Sequence, residues 1–281
     1  MSKMKKAEKG TSKYKGWGVT AVLMVLALIT VFPFYLMVCM GTHTSGELFK
    51  GAILLPGNYL MNNLKTIRDS SLGRFYVNSI ISSSVATVVG MMTSAMAGYA
   101  LSKYEFRFRE TIIKIVLALM MIPGQISLIA YVIEMRNMHL MNTLWPVIIP
   151  FTYSAFGVYW MKQSIDGAVP NEVIESARID GASEQRIFAT IVLPFIKPAL
   201  VTIALLLFLW SWNSYLLPLI TINDMKSYTV PLGVAMLNGM YTTDYAAKIL
   251  ALSIGTLPLI IMFIFGSKYF IRGLTAGAVK G

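Results

Sequence analysis

The chain has 281 residues, 56% of them hydrophobic and only 13% charged, against about a quarter charged in ordinary soluble domains. The apolar residues gather in runs of roughly twenty, the length that crosses a ~30 Å hydrocarbon layer, which points away from a soluble globular core. The formal net charge of +11 fits the loops of a membrane protein better than a nucleic-acid surface, because no basic stripe with interleaved aromatics occurs.

Lys3, Lys5, Lys6, Lys9, Lys13 and Lys15 make residues 1–16 a basic tail. The apolar run 17–40 behind it is too long for the core of a secretory signal and lacks a small-residue cleavage site, so it reads as a retained first span. Cys39 is the single cysteine, so no intrachain disulfide is expected. Met37 and Val38 before it are too bulky for a lipoprotein site, and it reads as a buried apolar thiol. The second run, 76–101, is the least apolar: Ser79, Ser82, Ser83, Ser84, Thr87, Thr93 and Ser94 suit a helix packed against other helices rather than lipid. Further runs cover 111–133, 142–163, 198–220 and 247–270, each long enough to cross a membrane as a helix. Pro33, Pro123, Pro150, Pro218 and Pro258 lie in or near these runs, where proline frees a carbonyl and kinks the helix. The expectation is an all-α integral membrane protein, one permease domain over 1–281 with six transmembrane helices.

Charge orients it. With the N-terminus inside, seventeen of the 24 lysines and arginines fall nearer the inner face, leaving Lys50, Lys65, Arg68, Arg74, Arg136, Lys226 and Lys248 outside. This predicts that both termini, including the tail 267–281, and the polar segment 164–197 are cytoplasmic. The outer loops 41–75, 134–141 and 221–246 are too short for separate domains, and Asp224 and Asp244 at their edges call for no special role.

The segment 164–197 is polar and helix-prone between two apolar runs. Asn171 is a good N-cap, and Glu172 suits the positive end of the helix dipole. Helix character runs through Arg178, Gly181 breaks it as a left-handed residue, and Ser183 caps a second short helix with Ile187 and Ile191 on one face. Pro194 and Pro198 end that helix and lead into the fifth run. Read alone, this is an interfacial amphipathic helix. The spacing of Glu175, Ala177, Asp180, Gly181, Ala182, Ile191, Leu193 and Pro194 closely resembles the "EAA" loop of ABC-importer permeases, with Ser176 where that family prefers alanine.

The resemblance covers nearly the whole chain. Ala97-Gly-Tyr99-Ala-Leu-Ser-Lys103-Tyr104 is similar to the inner end of the second span of sugar permeases, and Trp212-Asn213-Ser-Tyr215 to their fifth span. The ending from Gly273 through Gly277 and Lys280 resembles the maltose-type tail of the second permease subunit. It implies a cytoplasmic coupling helix between the fourth and fifth spans that inserts into a cleft of a separate ATPase. Glu172, Glu175, Ala177, Asp180, Gly181 and Ala182 would make that contact, joined by Gly273, Gly277 and Lys280 of the tail. It also implies that Asn238, Gly239, Met240 and Tyr241 enter an extracellular solute-binding protein, and that Trp212, Asn213 and Tyr215 belong to the pathway. For the residues alone two readings stand: Asn213 bonds a neighbouring helix or lines the path, and Trp210, Trp212 and Tyr215 anchor at the interface or stack on sugar rings.

The implied function is a non-catalytic subunit of an ATP-driven carbohydrate importer, for a di- or oligosaccharide, in a bacterial or archaeal cell membrane. Its partners would be a second homologous permease, two ATPase subunits, a binding protein and membrane lipid, but no nucleic acid. The alternatives are an ABC permease for another solute such as a phosphate ester, a secondary transporter, or an intramembrane enzyme. No P-loop occurs, so ATP and Mg²⁺ are expected in the partner subunit and no cofactor in this chain. His43 and His139 lie apart from carboxylate pairs, so no metal site is expected. Span centres lack the ionisable residues of proton-coupled transporters.

Overall fold

A computed structural model describes the backbone of residues 4–237 and 244–278, with side chains for 16–237 and 244–268. The described elements are helical, and no strand occurs among them. In chain order they are α1 (Met4–Met40), α2 (Leu60–Asp69), α3 (Leu72–Lys103), α4 (Arg109–Met121), α5 (Leu128–Asn137), α6 (Trp145–Ile148) and α7 (Ala155–Ala168). Then follow α8 (Asn171–Ile179), α9 (Glu184–Ile187), a π-helical turn (Phe188–Val192), α10 (Leu193–Phe195), α11 (Lys197–Trp212), α12 (Leu216–Thr221), α13 (Val230–Ala235) and α14 (Tyr245–Ala278).

Among the described residues, three stretches are long and apolar enough to cross a membrane alone: Gly16–Met40, α3 and Tyr245–Lys268. Two further candidates are bent pairs, Arg109–Met121 with Gly124–Asn137 at 90° and Glu184–Phe195 with Lys197–Trp212 at 83°. The six apolar runs are therefore not six straight helices. The third run breaks at Ile122, which is extended (ψ 120°) because the proline ring of Pro123 disfavours helical geometry in the residue before it. The fourth holds only α6, a 3₁₀ turn over Ile149–Phe151, and α7, which starts where the Ser154 hydroxyl accepts from the Gly157 N–H at 3.0 Å. The fifth stops at Trp212, capped by Asn213, and resumes as α12.

The chain forms two compact units, residues 1–70 with 237–254, and 71–236 with 255–281. In the first, Cys39 is buried as expected. The buried Asn63 amide donates to the carbonyls of Gly41 (2.9 Å) and His43 (2.8 Å). Asp244 has a structural task here that the sequence did not announce. Its carboxylate accepts from the Ser45 hydroxyl (2.7 Å) and from the Ala247 N–H (3.0 Å), holding the first turn of α14. In the second unit, Asp224 likewise caps a short 3₁₀ turn, accepting from the Lys226 N–H.

The second unit is organised on α3. Its Ser79, Ser82, Ser83, Thr87 and Ser94 are buried and Thr93 is half-buried, as the hydroxyl-rich run predicts, whereas Ser84 is exposed. α3 packs against α7 and α11, and the contact is close because small residues line it. A Cβ on Gly98 would stand 2.7 Å from the Met161 Cβ and 2.8 Å from the Lys162 backbone nitrogen. Ala95 and Tyr99 of α3, Met161 and Ile165 of α7, Ile174 of α8, Ile187 of α9 and Ile203 and Leu207 of α11 share one apolar cluster. The polar segment is thereby seated on the same core as the long helices.

Candidate coupling site

α8 is framed by two chain reversals. At its start the N-cap is Pro170, extended at ψ 143°, and Asn171 is the first helical residue. The expected Asn171 cap is thus displaced by one position. The proline ring already holds φ at a helical −62°, so the boundary is made by its extended ψ, and the amide of Asn171 is used elsewhere: its oxygen accepts from the Lys103 ammonium at 2.6 Å, which also donates to the Val169 carbonyl at 2.6 Å. At its end Gly181 takes φ +77°, the left-handed conformation the sequence predicts. The Gly181 N–H donates to the Arg178 carbonyl and the Ala182 N–H to that of Ala177, both at 3.0 Å. These two bonds define a Schellman motif and satisfy carbonyls that helix termination leaves open. Ser183 then caps α9, its hydroxyl accepting from the Arg186 N–H at 3.3 Å.

One side of α8 is buried through Ile174, while Glu172, Glu175, Ser176, Ile179 and Asp180 are exposed. Ile179, 86% exposed at the tip, is an apolar residue set among charges. Glu172, Val173, Ser176, Ala177, Asp180 and Ile191 line a shallow groove of about 390 Å³. On the other side a cleft of about 530 Å³ is lined by Ser102, Lys103, Tyr104, Glu105, Arg109, Asn171, Glu175, Arg178 and Glu184, among others. Its cations are engaged within the chain. Lys103 is bound as above, Arg109 donates to the carbonyls of Leu101 (2.9 Å) and Ser102 (3.3 Å), and Arg178 donates to Glu184 at 2.6 Å. Glu175 and Glu105 make no ion pair among the described residues.

Glu184 carries the densest set of bonds in the segment. One carboxylate oxygen accepts from Arg178, and the other from the hydroxyls of Tyr104 (2.6 Å) and Tyr99 (2.8 Å). The Arg178 guanidinium also lies 5.4 Å from the Tyr104 ring centroid. Glu184 lies outside the apolar runs, and its carboxyl is lowered from 4.5 to about 2. The Arg178 hydrogen bond is the largest cause, partly opposed by burial and reinforced by the two tyrosines. Sequence reasoning assigned no role to Glu184. The available signal was Arg178 and Glu184 flanking Gly181, since a reversal there returns the chain and brings opposite charges together.

The other predicted residues lie apart from this cluster. Trp212 is buried, its indole N–H donating to the Gly255 carbonyl at 3.1 Å, its ring stacked on Phe208. Asn213 and Tyr215 are exposed, and the Asn213 amide donates back to the Leu209 carbonyl at 2.9 Å. Gly273 and Gly277 belong to the helical backbone of α14. Asn238, Gly239, Met240, Tyr241 and Lys280 lie outside the described residues. No group of three or more His, Cys, Asp or Glu placed to hold a metal occurs among the described residues.

Apolar helices of membrane-crossing length, a hydroxyl-lined packing helix and an exposed, doubly capped polar segment together define a membrane permease. The profile of the family described as "binding-protein-dependent transport system inner membrane component" matches residues 69–276, and the chain belongs to that family. It is 34% identical to the arabinooligosaccharides transport system permease protein AraQ of Halalkalibacterium halodurans over 96% of this chain and 99% of that one. It is 33% identical to the trehalose/maltose transport system permease protein MalG of Thermococcus litoralis, over 94% and 95%. Among solved structures, a bacterial ABC transporter involved in the import of the acidic polysaccharide alginate has a chain that matches with a TM-score of 0.77, at 22% identity, covering 92% of this chain and 98% of that one.

Proposed function

We propose that this chain forms half of the translocation pathway of an ATP-driven importer for a di- or oligosaccharide. It spans the cell membrane of a bacterium or archaeon six times, with both termini in the cytoplasm. Bent and interrupted helices count as spans in this reading, except that the fifth span begins after residue 197 and leaves Glu184–Phe195 in the cytoplasmic segment, since irregular backbone at membrane depth is tolerated where it is buried in protein. A second, homologous permease completes the pathway, two ATPase subunits bind ATP and Mg²⁺ below, and an extracellular binding protein delivers the sugar. The relatives named for arabinooligosaccharides and for trehalose and maltose support the substrate class.

The observation that carries the coupling role is the α8–α9 reversal. A free-standing interfacial helix needs no buried anchor, yet this segment is seated on the core through Ile174 and Ile187 and holds its charged side outward. In the proposed assembly a basic side chain of the ATPase enters the cleft and meets Glu175, while Glu172, Ala177, Asp180, Gly181 and Ala182 fit the surrounding surface. Gly273, Gly277 and Lys280 add a contact from the tail. Asn238, Gly239, Met240 and Tyr241 reach the binding protein, and Asn213 and Tyr215 face the sugar with Trp212 behind them. ATP binding draws the coupling segments inward and opens the cavity outward, a rigid-body switch between two packed states.

Co-purification from native membranes in mild detergent tests this. Wild type should elute with an ATPase and a second permease. Glu175→Lys places like charges at a desolvated pair, at a cost of several kcal/mol, and should lose the ATPase or its coupled activity. Elution of the wild-type chain alone, with a silent mutation, overturns the reading.

A further inference from the structure

The two covalent routes out of α8 are both interrupted, while its side-chain hydrogen bonds among the described residues lead, directly or through Glu184, to the inner end of α3. Toward α7 the chain breaks at the extended Val169–Pro170 step. Toward α11 it passes the π-helical turn Phe188–Val192 and then an 83° bend. Pro194 has no N–H to give to the preceding turn, and a π-turn is a wider, less regular coil often found at functional joints. Neither joint is suited to transmit a push along a helix axis. The last turn of α3 and the residue that caps it grip α8 at both ends instead. Lys103 binds the Val169 carbonyl and the Asn171 side chain at the start, and Tyr99 and Tyr104 bind Glu184, itself locked to Arg178, at the finish.

We propose that Glu184 is a positioning residue that locks the coupling segment to the inner end of α3, so that segment and helix move as one body and load arriving on α8 passes into α3. This rests on the coupling role proposed above. Charge-assisted hydrogen bonds from two hydroxyls and a guanidinium are stronger and stiffer than neutral ones. α3 in turn lies against α7 and α11 through glycine and hydroxyl contacts too tight to slip, so a displaced α3 carries its neighbours.

Pulsed electron paramagnetic resonance on the complex as purified tests the lock. Spin labels go on Gln185→Cys in α9 and Met96→Cys in α3, both exposed sites, in a Cys39→Ala background. The wild-type pair should give one narrow distance that does not change when Mg–ATP and vanadate are added. Glu184→Ala should lose the single distance. Tyr99→Phe with Tyr104→Phe, which keeps both rings and removes only the hydroxyls, should lose it too, and this pair stands in should Glu184→Ala fail to fold.

A pH arm separates the lock from mere packing. A carboxyl held below its ordinary value keeps its bonds at higher pH and loses them as pH falls through its folded value. That value is about 2 in wild type, so the distance should stay narrow through mild acid. Arg178→Met removes the largest cause of the lowering, so its distance should be narrow at neutral pH and broaden as pH falls through the ordinary value of 4.5. A wild-type distance that shifts with nucleotide, or variants indistinguishable from wild type, overturns the proposal. If no ATPase co-purifies, the coupling reading fails, while the variant and pH arms, which need only this chain, still decide the lock.

Discussion

α1 and α3 are both long helices, 37 and 32 residues, and both hold stretches of membrane-crossing length. Their surroundings are opposite. Only 6% of the apolar window of α1 is buried within the chain, against 39% of that of α3, although α1 is the more hydrophobic. In water the order would be reversed, because apolar surface seeks cover. In a bilayer, lipid is as apolar as leucine, and helices associate through close packing and polar contacts instead. Between these two helices, burial therefore goes with the small and hydroxyl side chains of α3, and exposure with the Val, Leu and Phe of α1. The same rule gives α3 its second task, since the helix that the others hold is also the one whose end grips the polar segment.

The sharpest way to break that comparison is to enlarge the packed face. Gly98→Val places atoms where the Met161 Cβ and the Lys162 backbone already stand under 3 Å from any added carbon. Backbone cannot step aside as a flexible side-chain end does, so the cost should reach about 3 kcal/mol or more. Thermal unfolding in detergent should show a large drop in midpoint or no folded protein at all. A near-wild-type midpoint would mean that α3 and α7 are not held together by close approach.

A smaller effect tests the hydroxyls one at a time. The buried Ser79 hydroxyl accepts from the Val230 N–H at 2.8 Å, at the start of α13. Ser79→Ala leaves that N–H without its partner and should cost about 1–3 kcal/mol. Ser83 is equally buried, but its hydroxyl has no hydrogen-bond partner among the described residues. Ser83→Ala should be neutral or up to about 0.5 kcal/mol stabilising, since alanine is the better helix former and no bond is lost. Comparing the two unfolding midpoints checks the sign. Equal losses would show that the hydroxyl stripe acts by shape alone.

Much of this contrast was legible in the residues. The serines and threonines of 76–101 announced a packed helix, Trp17–Met40 an unbroken apolar one, Gly181 a left-handed turn and Ser183 a cap, because each depends on local geometry or composition. The breaks were not legible. An apolar run measures solvent preference and is blind to direction, so the 90° bend at Pro123 and the interruption between Trp145 and Ala155 both sat inside runs that looked continuous. Prolines marked both places without saying whether they would kink, cap or start a helix; Pro146 and Pro150 do the last. The Glu184 cluster was hidden for another reason. Its tyrosine partners lie 80 and 85 residues away in sequence, and no pattern within either stretch requires the other. The bond from the Trp212 N–H to the Gly255 carbonyl is likewise a tertiary contact beyond the reach of local periodicity.

The smallest expected effect probes the exposed helix. Leu28 in α1 is 71% exposed. With lipid on that face, Leu28→Ala trades one apolar surface for another and improves helix propensity slightly, so stability should change by less than about 0.5 kcal/mol. Unfolding midpoints of the purified chain and of the assembled complex check this separately. An unchanged midpoint in both confirms that α1 faces lipid there. A loss confined to the complex would place a second subunit against α1, and the contrast with α3 would then be between packing inside the chain and packing across subunits.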